Sequence, residues 1–272
     1  MVTLLIKHGA DVTACTSFGV TALHWACRAG LLSVVSHLVE HGAAIDARDK
    51  LDQTPLMTAC DHAGNNCVDV CRLLIAAGAD LSHRGERDDY TAFHFAVSSN
   101  HLQLVRLFLE AGIWATTGTH LPPADDTTTA TGAAASSSWQ QLTPLDIAVN
   151  NNQLDIVKCL LLSYADVNAP SHYTQTVVTG GGLIYLASES LQITKLLIDV
   201  GYDRGTCLLV AKNRRMKSSI RELLLTARDT PALMHMCRLV IRSAIARRYT
   251  RSAELPLPKQ LINYVNMHDL LL

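Results

Sequence analysis

Cys60, His62, Cys67 and Cys71 place four side chains able to ligate zinc within twelve residues, a density from which tetrahedral sites are built. The chain has eight cysteines, at 15, 27, 60, 67, 71, 159, 207 and 237, yet none forms a Cys-x-x-Cys pair. Gly180, Gly181 and Gly182 make a glycine run, but without the strand and helix flanks of a phosphate-binding turn. No nucleophile elbow, phosphate loop or paired-carboxylate pattern occurs. The chemistry-bearing residues therefore argue against an enzyme. The metal reading turns on what Cys60 and Cys71 do in the fold.

The elements that must position these residues are repeated. Gly9, Ala10, Asp11, Val12 returns as Gly42, Ala43, Ala44, Ile45 and as Gly78, Ala79, Asp80, Leu81; Gly112 and Gly201 hold equivalent places, and Tyr164 replaces the glycine before Ala165, Asp166, Val167. In step with it, Thr21-Ala-Leu-His24-Trp25-Ala returns from Thr54, from Thr91 and from Thr143. The first spacing of each marker is 33 residues. Threonine can cap a first helix and glycine can end a second one in a left-handed conformation. Between the markers an apolar stripe recurs at helical spacing: Val34, Val35, Leu38; Val70, Cys71, Leu74; Leu104, Val105, Phe108; Ile156, Val157, Leu160; Ile193, Leu197; Ile220, Leu224. In this register Cys60 takes the place of Cys27, and Cys71 that of Val35, Val105 and Val157. Both are explained as small core residues, and no metal is expected.

With 49% apolar and 17% charged residues in 272, the chain has enough apolar surface to fold. No apolar stretch approaches the roughly 20 residues that span a bilayer. The N-terminus is apolar for only five residues before Lys7 and does not read as a secretory signal. A cytoplasmic or nuclear chain with reduced thiols is expected. The net charge of −1 hides a split: residues 1–203 hold 10 basic and 20 acidic side chains, whereas residues 204–272 hold 13 and 4. The basic part lacks a nucleic-acid motif or interleaved aromatics, so neither nucleic acid nor membrane is expected as a partner.

These markers resemble the ankyrin repeat, whose first helix begins Thr-Pro-Leu-His-x-Ala and whose second ends at glycine followed by Ala-Asp-Val-Asn. The resemblance covers residues 1–228 and implies an all-α solenoid of helix-turn-helix pairs with short hairpin loops. In the family the signature histidine, here His24 and His94, ties adjacent turns. Residues 176–204 read as a degenerate fifth unit and 205–227 as a shortened last one. Met1–Gly9 reads as a second helix alone, so the chain is expected to start in mid-repeat, as a truncated form would. Thr91 to Thr143 spans 52 residues. The excess falls at 115–138, whose Thr, Ala, Ser, Pro and Gly predict a flexible insertion on the hairpin edge. A shorter insertion near Asn65 and Asn66 lengthens one inter-helix turn.

Residues 229–272 break the repeat. Pro231 suits a first helical turn, and Leu233, Cys237, Ile241 and Ile245 form one stripe of a helix over 231–248. Leu255, Pro256, Leu257 and Pro258 must be extended. Ala232, Leu233, Cys237 and Ile241 are similar to the elongin-binding pattern of the SOCS box, and Leu255 to Pro258 resemble its cullin box, here 255–265. The whole chain resembles the ankyrin repeat and SOCS box family.

The resemblance implies a non-catalytic substrate-recognition subunit of a ubiquitin ligase, without a cofactor. Its array would bind a protein target. Leu233, Cys237 and Ile241 would dock elongin C with elongin B, and Leu255, Pro256, Leu257 and Pro258 would dock cullin 5 with its RING partner. The alternative is an ankyrin scaffold whose C-terminal helices only cap the solenoid. Hairpin tips and exposed ends of first helices are free of stacking, which marks Phe18, Arg28, Leu51, Tyr90 and Trp139 as target-binding candidates, with Gln53, Asp61, Ser98 and Asn150 beside them.

Overall fold

The structure, a computed structural model, describes residues 2–62, 64, 66–86, 89–113, 115, 142–163, 165, 167, 182–200, 202, 204–211 and 217–226. Trp139, most of the expected insertion and every SOCS-box position named above lie outside the described residues.

Thirteen α-helices are described: α1 (Val2–Lys7), α2 (Ala22–Arg28), α3 (Leu32–Glu40), α4 (Pro55–Asp61), α5 (Cys67–Ala76), α6 (Ala92–Ser98), α7 (Leu102–Glu110), α8 (Pro144–Asn150), α9 (Leu154–Leu162), α10 (Gly182–Leu186), α11 (Leu191–Val200), α12 (Arg204–Ala211) and α13 (Ser218–Thr226). A 3-10 turn, Ala187–Glu189, links α10 to α11. No strand occurs among the described residues; Cys15 and Thr21 form one isolated antiparallel bridge.

Why the helices start where they do is visible at the threonines. Thr21, Thr54, Thr91 and Thr143 each stand in extended backbone before a seven-residue helix. The Thr54 hydroxyl accepts the Met57 amide at 3.3 Å and the Thr143 hydroxyl accepts the Asp146 amide at 3.1 Å. In return the Thr143 amide donates to Asp146 Oδ2 at 2.9 Å, so two orphan donors are satisfied reciprocally. Pro55 and Pro144 open their helices, where the missing amide costs nothing. Gly9, Gly42, Gly78 and Gly112 end the second helices with φ between +82° and +91°.

A further left-handed position, absent from the sequence expectations, lies in the turn between the two helices of a repeat. Gly30, Asn66, Asn100 and Asn152 take φ of 65°, 65°, 56° and 55° there. Asparagine tolerates this conformation because its short polar side chain bonds locally. Five residues separate α4 from α5, where three separate α2 from α3, α6 from α7 and α8 from α9.

The helices fall into two compact units, the first running to Ile113 and the second holding α8 to α13. In the first, α2, α4 and α6 pack side by side in one row and α3, α5 and α7 in another. In the second, α8, α10 and α12 make one row and α9, α11 and α13 the other. The expected stripes are buried throughout, except that Val34 is half-buried. Leu38 is 2% exposed, whereas Leu5, at the same place on α1, is 54% exposed. Leu38 is buried where α2 packs against α3. Ala115, expected to open the insertion, is buried, and it holds the repeat position of buried Leu81.

Close approach of repeats makes one glycine obligatory. Gly19 has φ +75°, and a Cβ there would meet the Arg48 carbonyl oxygen at 2.9 Å and Asp49 Cα at 3.0 Å. Gly42 has a similar φ but open space around it. Gly42→Ala is expected to cost about 1–2 kcal/mol from the left-handed backbone alone, and Gly19→Ala distinctly more. Urea denaturation of both variants measures this; equal losses would refute the close approach.

Candidate functional site

The signature histidine is the polar hinge between repeats. On α2, His24 Nδ1 accepts the Thr21 amide at 3.2 Å and faces the Thr21 hydroxyl at 2.9 Å. Its Nε2 lies 3.1 Å from the Gln53 carbonyl of the next hairpin, so Nε2 carries the proton and donates across the repeat boundary. His94 repeats the inner half, with Nδ1 accepting the Thr91 amide at 3.1 Å. Burial pushes the His24 imidazole below its ordinary pKa, opposed by the Gln53 carbonyl, the Asp49 carboxylate and the Ala47 backbone. A neutral ring is what the hydrogen bonds require. His24 and His94 are thus structural ties.

The hairpins are braced in the same direction. Asp49 Oδ1 accepts the amides of Leu51 and Gln53 at 2.8 and 2.9 Å. The Lys50 amide donates to the Phe18 carbonyl at 2.9 Å, and the Glu86 amide to the Leu51 carbonyl at 3.3 Å. His83 Nε2 donates to the Asp52 carbonyl at 2.8 Å. The hydroxyl and amide of Thr13 hold the Asp11 carboxyl below the usual carboxylate range.

Of the target-binding candidates, Phe18, Arg28 and Leu51 are exposed, as are Asp61, Ser98 and Asn150. Gln53 is half-buried and its carbonyl is occupied by His24. Tyr90 is half-buried too: its ring stacks on His94 with centroids 5.2 Å apart and meets Phe95 edge-on at 5.9 Å. Its ring therefore braces the third hairpin as well as facing outward. Trp25 was missed. It is 55% exposed, with the Arg28 guanidinium 5.6 Å from its ring centroid. The available signal was its place, the variable residue between His24 and Ala26 in the repeat marker, which points away from the stack.

The cysteine cluster is core. Cys27, Cys60, Cys67 and Cys71 are all buried, and Cys60 Sγ lies 3.7 Å from Cys71 Sγ. Cys67 Sγ is 3.4 Å from His101 Nε2 across the repeat boundary. Burial pushes the thiols of Cys27, Cys60 and Cys67 up, so they stay protonated and poorly nucleophilic. His62, exposed, lies beside Asp61 at 3.5 Å. Among the described residues no group of three or more His, Cys, Asp and Glu side chains is placed to hold a metal ion.

Comparison with known proteins agrees with this geometry. Residues 1–85 and 82–171 match the family model described as ankyrin repeats (3 copies), and residues 230–266 match that of the SOCS box. The chain belongs to the ankyrin repeat and SOCS box family. This ankyrin repeat and SOCS box chain is 31% identical over 211 residues to the B-cell lymphoma 3 protein homolog of Mus musculus, covering 74% of the chain and 42% of that protein. It is 30% identical over 231 residues to the B-cell lymphoma 3 protein of Homo sapiens, covering 81% and 45%. A third relative is the E3 ubiquitin-protein ligase XBAT32 of Arabidopsis thaliana, 27% identical over 192 residues, covering 67% and 36%. The chain thus spans less than half the length of each of these relatives.

The tie made by His24 has a pH consequence. Because its folded pKa is lowered, the unfolded chain takes up the proton first; the tie's stability is full above about pH 6.5 and is lost as pH falls toward the lowered value. His24→Gln keeps an acceptor for the Thr21 amide and removes the titration. Its Tm is expected to fall less than that of the unaltered chain between pH 7 and pH 5, roughly the window where a histidine titrates. Parallel Tm curves would contradict the neutral tie.

Proposed function

We propose that this protein is the substrate-recognition subunit of an elongin-cullin-RING ubiquitin ligase. One observation carries the reading: a protein-binding type of repeat and a SOCS box occur in one chain, matched at residues 1–171 and 230–266. In this reading the array, residues 1–228, holds the target, and residues 229–272 form the ligase-docking module. Leu233, Cys237 and Ile241 on a helix over 231–248 seat in elongin C, which carries elongin B. Leu255, Pro256, Leu257 and Pro258, opening a cullin box over 255–265, meet cullin 5 and its RING partner. The chain itself does no chemistry. It raises the effective concentration of a target lysine near activated ubiquitin, a gain made by proximity rather than by acid, base or nucleophile.

Support from the structure is of two kinds. Of the two signature histidines, His24 ties adjacent turns and His94 holds its own capping threonine, and the buried thiols are protonated core. Among the described residues no helix is long and apolar enough to cross a membrane. The seven cysteines among the described residues are free thiols, as suits the reducing cytoplasm or nucleus in which we place the complex.

The two docking events are expected to fail separately. Burial of a leucine contributes roughly 1.5–3 kcal/mol, so Leu233→Ala with Cys237→Ser should weaken elongin capture at least about tenfold. Pro256→Ala with Pro258→Ala frees the backbone of a rigid segment and should weaken cullin 5 while sparing elongin. Reconstitution with purified elongin B, elongin C and cullin 5 decides it. Unaltered elongin capture by the first variant would put the docking helix elsewhere, whereas no elongin capture by the unaltered chain would favour the capping scaffold.

A further inference from the structure

The hairpin edge of the first unit carries two properties that neither capping nor stacking requires. The first is exposed apolar bulk: Phe18 is 65% exposed, Trp25 55% and Leu51 48%. Phe18 and Leu51 hold the same place in successive hairpins, three residues before the capping threonine. The amide of Lys50, the residue before Leu51, donates to the Phe18 carbonyl at 2.9 Å and sets the two hairpins side by side. Leaving three such side chains in water has no benefit to the fold, since each would stabilise it if buried.

The second property is charge. Segments 9–20, 42–53 and 78–90 hold eight carboxylates against four lysines and arginines. The cations described there are already engaged: Arg48 lies 3.6 Å from Asp52, Arg84 lies 3.2 Å from Asp89, and Lys50 Nζ sits 5.3 Å from the centroid of the Phe18 ring. The field left over is negative. Glu86, one of the eight, is exposed, and Asp61 adds an exposed carboxylate at the end of α4. The Phe18 and Trp25 rings each already lie beneath a cation of this chain, an arrangement aromatic faces favour.

We propose that this edge holds a cationic segment of the target protein, in which lysines or arginines flank a large apolar side chain. The inference rests on the reading that the array captures the target, and it names the chemistry of what is captured. The apolar side chain seats against Phe18, Trp25 and Leu51, while the flanking cations meet the surplus carboxylates of the hairpins. Charge complementarity fixes the occupant: an acidic or uncharged segment would cover the same apolar atoms but forgo the field. A second copy of this chain is the other source of such a segment, because its residues 204–272 carry 13 basic and 4 acidic side chains.

The test uses the full chain bound to elongin B and C, probed with a peptide array that varies net charge from acidic to basic, each peptide with and without a central leucine or phenylalanine. The captured peptides should be basic and carry the apolar residue. Trp25→Ala and Phe18→Ala should each weaken the best of them about tenfold by fluorescence anisotropy. Glu86→Lys with Asp61→Lys should weaken it at low salt, with an effect that shrinks as salt is raised. Trp25→Arg, which keeps a helix former and adds a like charge, should reproduce the loss if the alanine variant melts early. Capture without regard to charge, or capture unchanged by the Trp25 and Phe18 variants, overturns the proposal. So does preference for a peptide of this chain's own residues 238–251, which would assign the edge to a second copy. Elongin capture in the same preparation separates the readings: its absence from the unaltered chain sinks the receptor reading, whereas charge-blind capture with elongin bound sinks only this one.

Discussion

No helix pair of this chain can cover its own apolar face, and everything else in the array follows from that. Leu38, on α3, is 2% exposed because α2 of its own repeat and α5 of the next pack against that helix. Burial of one such leucine contributes roughly 1.5–3 kcal/mol, several times the few tenths that propensity supplies per residue. Each repeat is therefore stable chiefly through the next, as in other quasi-one-dimensional folds. The polar ties obey the same constraint. His24 spends one nitrogen on its own capping threonine and the other on the Gln53 carbonyl of the following hairpin, so the cap of one repeat is also the clamp on the next.

Because stacking demands the same side chain at the same place in every unit, most of the fold was legible in the sequence. The stripes at Val70, Cys71 and Leu74 or Leu104, Val105 and Phe108 read directly from their spacing, and the threonines and glycines punctuate them. The same register settled the cysteines: Cys60 and Cys71 occupy places held elsewhere by Cys27 and by valines, and their thiols lie against each other in the core. What escaped was local conformation carried by residues of no marked type. Asn100 and Asn152 look like ordinary loop asparagines until their positive φ shows that they do the work of Gly30. Ala115 reads as the start of an insertion by composition, yet it is buried.

The surface was less legible than the core, since nothing in a periodic pattern says how far a side chain stands from its neighbours. Trp25 was hidden inside the marker that identified the repeat. Tyr90, expected as an anchor, divides its ring between solvent and the stack on His94. The surface that results exposes Phe18, Trp25 and Leu51, and its hairpins carry more carboxylates than lysines and arginines. The segment that follows the repeats reverses both the charge and the register, as expected if one chain serves two kinds of partner. In the proposed receptor, capture and docking are thus assigned to parts whose compositions differ, which is what lets either be lost without the other.

That separation is the central claim, and proximity labelling tests it directly when the intact chain is compared with one ending at residue 228. Both forms should label the same set of target proteins, and only the intact chain should label elongin B, elongin C and cullin 5. Elongin labelling that survives the truncation, or targets that vanish with it, would contradict the account.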